Sequence, residues 1–376
     1  MDPLLQPIAK KVYAGERLTA ADGLTLLKTF DIWTLGELAD HVRRNLHGDV
    51  AYHNVNRHIN YTNLCALSCK FCAFYRKKGD DGIYEYSVDH IEKMAADAAK
   101  VGATEIHVVG GLHPYLPFSY YTDMLRAIRR AAPQVHIKAF TAVEIVHLAR
   151  IDRRAKDLRG VLSDLRDAGL GSLPGGGAEV FDDRVHDEAF KGKIRSDKWL
   201  EVHKTAHELG LMSNATILYG HIESLEDRVQ HFMMLRQAQD EAMASGYAGR
   251  FQTVIPLPFI PDDSELEHLH GPTAVDDLRM LAVSRLMLDN FAHVKAFWIM
   301  QTLAFSQASL HWGVDDMDGT VVWYDITKVG GSDTHQETSA NDLRRSMLQA
   351  GFTPVERDTL YRRIKREGAV WETAAV

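Results

Sequence analysis

The three cysteines of this chain all fall within eight residues, at Cys65, Cys69 and Cys72, and none lies elsewhere. Three thiolates at that spacing can hold three corners of a four-iron cubane and leave the fourth iron without a protein ligand. A cluster kept for electron transfer is held by four cysteines, so a trio points to an open metal corner where a small molecule binds and reacts. A Cys₃His zinc site completed by His53, His58 or His113 is a competing use of the same thiols, although zinc ligands usually arrive as two separated pairs. Three inert buried thiols are the plain alternative, and scattered cysteines rarely fall in this pattern.

Composition bounds the setting. At 376 residues, 45% hydrophobic and 25% charged, the chain suits a soluble globular protein of one large domain or two ordinary ones. A net charge of −8 argues against a general nucleic-acid or anionic-membrane surface. The first residues lack the basic start and apolar core of a signal peptide, and no apolar run approaches membrane-spanning length. An odd cysteine count suits a reducing compartment in which thiolates serve a metal. The expected setting is the cytoplasm, with small-molecule partners and neither nucleic acid nor membrane.

The cysteines need a scaffold, and the hydrophobic pattern supplies one. Short apolar segments at 58–64, 105–109, 135–140, 169–173, 213–219, 251–257, 294–300 and 320–325 read as strands, with helical patterns between them. Ser87 is placed to cap a helix over 88–100 that carries Ile91, Met94, Ala95 and Ala98 on one face. Ser196 and Gly210 bracket another over 197–209, and Thr273 starts a third through Leu278, Leu281, Ala282 and Leu286. Eight strands with intervening helices predict an α/β fold, a (β/α)₈ TIM-type barrel over residues 56–330. A doubly wound open sheet is the other arrangement that fits the alternation. An N-terminal helical extension is expected over 1–55, with Thr19 and Thr34 as N-caps, and C-terminal helices over 331–376 using Leu343, Met347, Leu360 and Ile364.

In such a barrel, chemistry collects at the C-terminal ends of the strands. Cys65 follows the first strand; Gly110, Gly111 and His113 follow the second; Thr141 and Glu144 follow the third. The fourth strand carries Ser172 and leads into Gly175 and Gly176, and the fifth ends at Tyr219 and His221. Paired glycines serve turns or admit close approach to a bound group. The Gly175 run lacks a following Lys-Ser or Lys-Thr, so it is not a phosphate-gripping P-loop. Glu144 suits either a helix start or a polar contact to a cofactor. His113 and His221 are structural histidines or proton-transfer groups.

The segment Cys65-x-x-x-Cys69-x-Phe71-Cys72 resembles the cluster motif of the radical S-adenosylmethionine (SAM) superfamily, including the aromatic residue before the last cysteine. Longer runs, His58 to Asn63, Cys72 to Arg76, Gly110 to Pro114, Leu173 to Glu179 and Tyr219 to His221, are similar to its menaquinone (futalosine-pathway) branch. That branch holds aminofutalosine synthases, dehypoxanthine futalosine cyclases and deazaflavin-ring synthases. The runs Lys138 to Ile145 and Ile255 to Phe259 most resemble the synthases. One departure from the wider superfamily is Leu112, which stands where many members carry an acid after two glycines. The resemblance implies a [4Fe-4S] cluster on Cys65, Cys69 and Cys72 with one open iron, and SAM as co-substrate near Phe71, Gly110, Gly111, Thr141, Glu144 and Ser172. It implies addition of the 5′-deoxyadenosyl radical to 3-[(1-carboxyvinyl)oxy]benzoate, aryl migration and decarboxylation, giving 6-amino-6-deoxyfutalosine. An electron donor such as flavodoxin or ferredoxin is implied too. A dicarboxylate enol ether calls for cations, and Arg is best suited to grip a carboxylate. Arg76, Lys193, Arg195 and, less directly, Arg250 are the candidates by position, with Gly175, Gly176 and Tyr219 as further substrate contacts and His113, His221 and Glu144 as catalytic groups. The alternatives are the cyclase or deazaflavin-ring chemistry and, from another class, a zinc-bound structural or partner-binding protein.

Overall fold

The computed structural model describes residues 2–152, 154, 157–326 and 337–374. A 3₁₀ turn leads into α1 (Gln6–Tyr13), α2 (Ala20–Lys28), α3 (Ile32–His47), β1 (Val50–Asn54) and β2 (Asn56–Ile59). An alternating series follows: α4 (Val88–Lys100), β3 (Glu105–Val108), α5 (Phe118–Ala131), β4 (His136–Ala139), α6 (Ala142–Ile151), α7 (Leu158–Ala168) and β5 (Ser172–Leu173). It continues with α8 (Asp183–Ala189), α9 (Ser196–Glu208), β6 (Met212–Tyr219), α10 (Leu225–Ala244), β7 (Phe251–Pro258), α11 (Ala274–Met287) and β8 (His293–Val294). The last elements are α12 (Trp298–Gln301), α13 (Leu303–Ser309), β9 (Asp316–Gly319), α14 (Ala340–Gln349), β10 (Thr353–Glu356), β11 (Ile364–Glu367) and β12 (Val370–Thr373).

Local capping chemistry starts many of these helices. The Ser87 hydroxyl accepts from His90 N–H to open α4 and buries Ile91, Ala95 and Ala98. Thr19 with Asp22, and Thr273 with Asp276, form capping boxes. Two expected caps move. Asp31, not Thr34, opens α3, because its carboxylate reaches Thr34 N–H at 3.1 Å. Arg195 opens α9 with extended backbone and no side-chain bond, leaving Ser196 inside the helix.

Strands β2 to β8 form one parallel sheet in chain order, the α/β barrel architecture expected. Seven strands make the ladder, and its two edges are joined by a different device. Single bridges, Lys295 to Asp316 and Arg57 to Val322, carry the chain across the gap. Residues 320–325, expected as the eighth strand, do not form one. Val321 and Trp323 have φ of 48° and 68°, values outside strand geometry. Asparagines grip the segment instead: Asn56 Oδ1 accepts from Val321 N–H at 2.7 Å and Asn60 Oδ1 from Asp325 N–H at 2.9 Å. The strand expected over 294–300 is likewise only His293–Val294, and Trp298 turns helical with its indole donating to Gly319 O at 2.8 Å.

The C-terminal tail departs from the all-helical expectation. Among the described residues of the tail α14 is the only helix, because Gly351 (φ 84°) ends it and Pro354 cannot continue it. The chain then adds β10 beside β1, which also pairs with β9, and closes with the β11–β12 hairpin. The boundary expected at residues 330 and 331 lies outside the described residues. Among the described residues no helix is long and apolar enough to cross a membrane.

Candidate active site

The C-terminal ends of the strands surround a cavity of about 330 Å³ lined by Cys65, Cys69 and Cys72. The cysteine loop leaves β2 and is pinned along its length. Thr62 Oγ1 donates to Tyr84 O at 2.7 Å and Asn63 Nδ2 to Gly82 O at 2.9 Å. Lys77 Nζ donates to the carbonyls of Cys65 and Leu67, at 3.0 and 2.7 Å. These bonds hold an irregular segment that makes few ladder contacts of its own, and so aim the sulfurs. The N–H groups of Leu67 and Leu112 each lie 3.4 Å from Cys65 Sγ. Burial pushes the Cys69 thiol up to about 11 and raises Cys72 as well, with Lys193 pulling the other way at both. A bound cationic metal would reverse that cost.

The donor set fits a cluster better than a single ion. Among the described residues, the three metal-type donors whose ligand atoms all lie within 4.8 Å of one another are His47, His293 and Asp315, which the cysteines do not join. A zinc ion with Zn–S bonds of about 2.3 Å needs its sulfurs roughly 3.8 Å apart. Of the histidines weighed as a fourth zinc ligand, His53 lies in β1 of the separate sheet, and His58 lines the same cavity from β2, opposite His107. His113 Nε2 is 2.7 Å from Glu85, while its Nδ1 accepts from the N–H groups of Tyr115 and Leu116.

Beside the cysteines, Gly110, Gly111, Thr141, Glu144, Gly175 and Gly176 line the same cavity, and so does Phe71. The two glycine pairs are small for packing reasons. A Cβ on Gly110 would stand 2.8 Å from the Tyr61 ring, and on Gly111 2.5 Å from Leu64 O. At Gly175 it would meet the Ala215 backbone at 2.6 Å. Glu144 is a bolt. One carboxylate oxygen accepts from Tyr61 OH (2.8 Å) and Gly110 N–H (3.1 Å), the other from Thr141 N–H (2.7 Å) and Oγ1 (2.9 Å). Those four contacts engage both carboxyl oxygens. A ribose contact would share an oxygen with two of them.

Other expected site residues are committed to the framework. His221 Nε2 lies 3.1 Å from Leu218 O and Nδ1 3.3 Å from Glu223, and Tyr219 OH donates to Asp277 at 2.6 Å. Ser172 Oγ is 2.9 Å from His136 Nε2. None of these three, nor His113, belongs to the cavity wall. The arginine clamp is also not assembled. Arg76 donates to Ala73 O and Tyr75 O, both at 2.8 Å, and holds the cysteine loop. Arg195 pairs with Asp183 (2.5 Å) and Asp187 (2.7 Å) at the start of α9. Arg250 is exposed just before β7, at the opposite end from the cavity. Lys193 does reach the cavity, but as the buried partner of Glu179, 5.0 Å from the Phe71 ring.

The cations that sequence reasoning passed over are Lys138 and Lys295, both deep in the cavity. Lys138 Nζ is 2.6 Å from Glu105, and Lys295 Nζ is 3.3 Å from Asp318. Burial lowers Lys138 from its ordinary value while Glu105 opposes the change; burial drives His58 down to about 4, so that ring is neutral. A period-two reading carried the signal, since Lys138 stands at an inward position between apolar Ile137 and Ala139.

Comparison with known proteins follows the same lines. The Radical SAM superfamily model matches residues 59–235, and the CofH/MqnC C-terminal region matches 248–368. An aminodeoxyfutalosine synthase from Thermus thermophilus is 45% identical over 99% of this chain and 98% of its own. One from Streptomyces coelicolor is 41% identical over 95% of this chain and 93% of its own. The crystal structure of methylornithine synthase superposes with a TM-score of 0.72 at 17% identity, covering 92% of this chain and 96% of that one. Radical SAM enzymes use a [4Fe-4S] cluster and SAM, and the cysteine trio accords with both. The chain is a radical SAM enzyme and belongs, within that superfamily, to the family of the aminodeoxyfutalosine synthases.

Proposed function

We propose that the protein joins the adenosyl group of SAM to 3-[(1-carboxyvinyl)oxy]benzoate, with aryl migration and loss of a carboxylate, to give 6-amino-6-deoxyfutalosine for menaquinone biosynthesis in the cytoplasm. The observation that carries this choice is likeness along the full chain to enzymes of that name. Cys65, Cys69 and Cys72 are the residues that would hold the cluster by three corners. When bound, the cluster would supply the electron for reductive cleavage of SAM. The chain's own part is positioning and exclusion. Gly110, Gly111 and Thr141 wall the space beside the cysteines, and Glu144 locks that wall. Val109, Ile255, Leu257 and Phe297 give the cavity apolar sides that keep water and quenchers away from a radical. Holding the vinyl group beside the adenosyl 5′ carbon lowers the barrier by proximity. An electron donor such as flavodoxin or ferredoxin reaches the cluster at the cysteine loop, where Lys70 and Lys78 are exposed.

The test is anaerobic incubation of the reconstituted protein with dithionite, adenosyl-labelled SAM and the enol ether, with products read by mass spectrometry. The expected result is label inside the nucleoside product. Free 5′-deoxyadenosine formed one for one with turnover would overturn the reading in favour of hydrogen abstraction, as in the cyclases.

A further inference from the structure

Below the cysteine loop the barrel interior is polar. Strand register sets His58 opposite His107, and His107 opposite Lys138, in one inward row across β2, β3 and β4. Lys295, following β8, reaches the same space. The Lys138 and Lys295 side chains are 5% and 2% exposed. Each ammonium carries three protons; Lys295 Nζ donates one to Asp318, while Lys138 Nζ is ion-paired with Glu105 Oε1 at 2.6 Å without hydrogen-bond alignment. Neither nitrogen of His58 has a partner, nor has Nε2 of His107, and the rings stand 4.7 Å apart. An ion cluster that served the fold alone would gain nothing from these unmet groups, since a buried polar group without a partner destabilises the fold. The surplus donors call for an acceptor brought in from outside, and the neighbouring cations call for an anionic one.

The proposed reaction supplies such an anion and sets its direction. The vinyl carbon must lie near the cysteines, so the ring carboxylate, at the far end of the substrate, points into the barrel. Resting on that reading, we propose that Lys138 and Lys295, with the unpaired nitrogens of His58 and His107 beside them, form the subsite that binds the aryl carboxylate and so orients the substrate.

Steady-state kinetics of the reconstituted holoenzyme test this, using the diacid and its aryl primary carboxamide. The amide keeps the shape and removes the charge. The wild type should prefer the diacid by about 100-fold or more in kcat/KM, since a polar site rejects a ligand that leaves its groups unpaired. Lys138→Gln and Lys295→Gln should raise KM for the diacid by about 10-fold or more with a smaller change in kcat. In both variants the preference for acid over amide should collapse towards unity. Iron and acid-labile sulfide at the wild-type level show that the variants are folded and loaded. The subsite is overturned if loaded variants keep the wild-type preference, or if the wild type uses the amide as readily as the diacid. That second arm decides the matter even if neither variant folds. A wild type that binds the diacid but forms no nucleoside product from it strikes the functional reading, and the dissociation constants of diacid and amide then decide the subsite on their own.

Discussion

Glu144 shows how a residue placed at an active site works through its neighbours. Its carboxylate closes the capping box of α6 with Thr141 and ties Tyr61 of the cysteine loop to the turn at Gly110. Burial pushes its pKa from 4.5 up to about 7, while Thr141, Tyr61 and Gly110 oppose the rise. Between those two values the folded protein holds a proton that the unfolded chain has released. The stability this represents is complete below pH 4.5 and is lost as pH rises through about 7. Glu144→Gln removes the titration and puts an amide donor against the existing donors, at a cost of about 1–2 kcal/mol. The holoenzyme variant should melt below the wild type at about pH 5.5, and the gap should narrow by about pH 8. Thermal melts across that range check it, and a gap that widens with pH would contradict a buried neutral carboxyl.

At the level of elements, the cysteine loop and the turn after β3 are fitted to each other before any cofactor arrives. Gly111→Ala puts a methyl group 2.5 Å from Leu64 O, next to Cys65. Backbone cannot yield as a flexible side chain can, so the loop must shift, at about 1–3 kcal/mol. Reconstituted Gly111→Ala should carry at most about half the wild-type iron while its far-ultraviolet circular dichroism stays unchanged; full iron content would show that the loop adapts. The turn glycines and the cysteine trio were legible in the sequence because both are written in local spacing. The same holds for α4 and α11, whose caps and apolar stripes lie within one segment. Residues 320–325 misled because Asn56 and Asn60, more than two hundred positions earlier, hold that segment out of strand geometry. The arginines misled for a related reason. Arg76 and Arg195 stand near the motifs in sequence, but local carbonyls and carboxylates already occupy them. Lys138 and Lys295 belong to strand segments whose inward parity matters only once the barrel has closed.

For the whole molecule, both ends of the chain seal the barrel beneath the cavity. From the N-terminal side, Arg43 of α3 donates to the carbonyls of Val314, Gly48 and Val50. From the C-terminal side, β10 lies along β1, and Tyr361 stacks on His293 with centroids 3.5 Å apart. Thr359 Oγ1 donates to Glu105 at 2.8 Å, and Arg357 is buried with its Nε 2.6 Å from Asp316. Burial works to raise Asp316, and Arg357 with Lys295 outweighs it, so the carboxylate stays ionised at neutral pH. Arg357→Met therefore leaves a buried charge without its main partner, which costs about 3–5 kcal/mol. The melting temperature should fall by about 5 °C or more. Pairing it with Asp316→Leu removes the stranded charge, so the double variant should be more stable than Arg357→Met alone. The cysteine loop is at the other end of the barrel, so iron content should hold in both. Glu105, which Thr359 of the same segment orients, faces Lys138; loosening the segment should therefore weaken substrate binding while the cluster stays in place. Melts, iron analysis and substrate KM on the three proteins separate these effects. A single variant as stable as the wild type would mean that the C-terminal segment covers the barrel without bracing it.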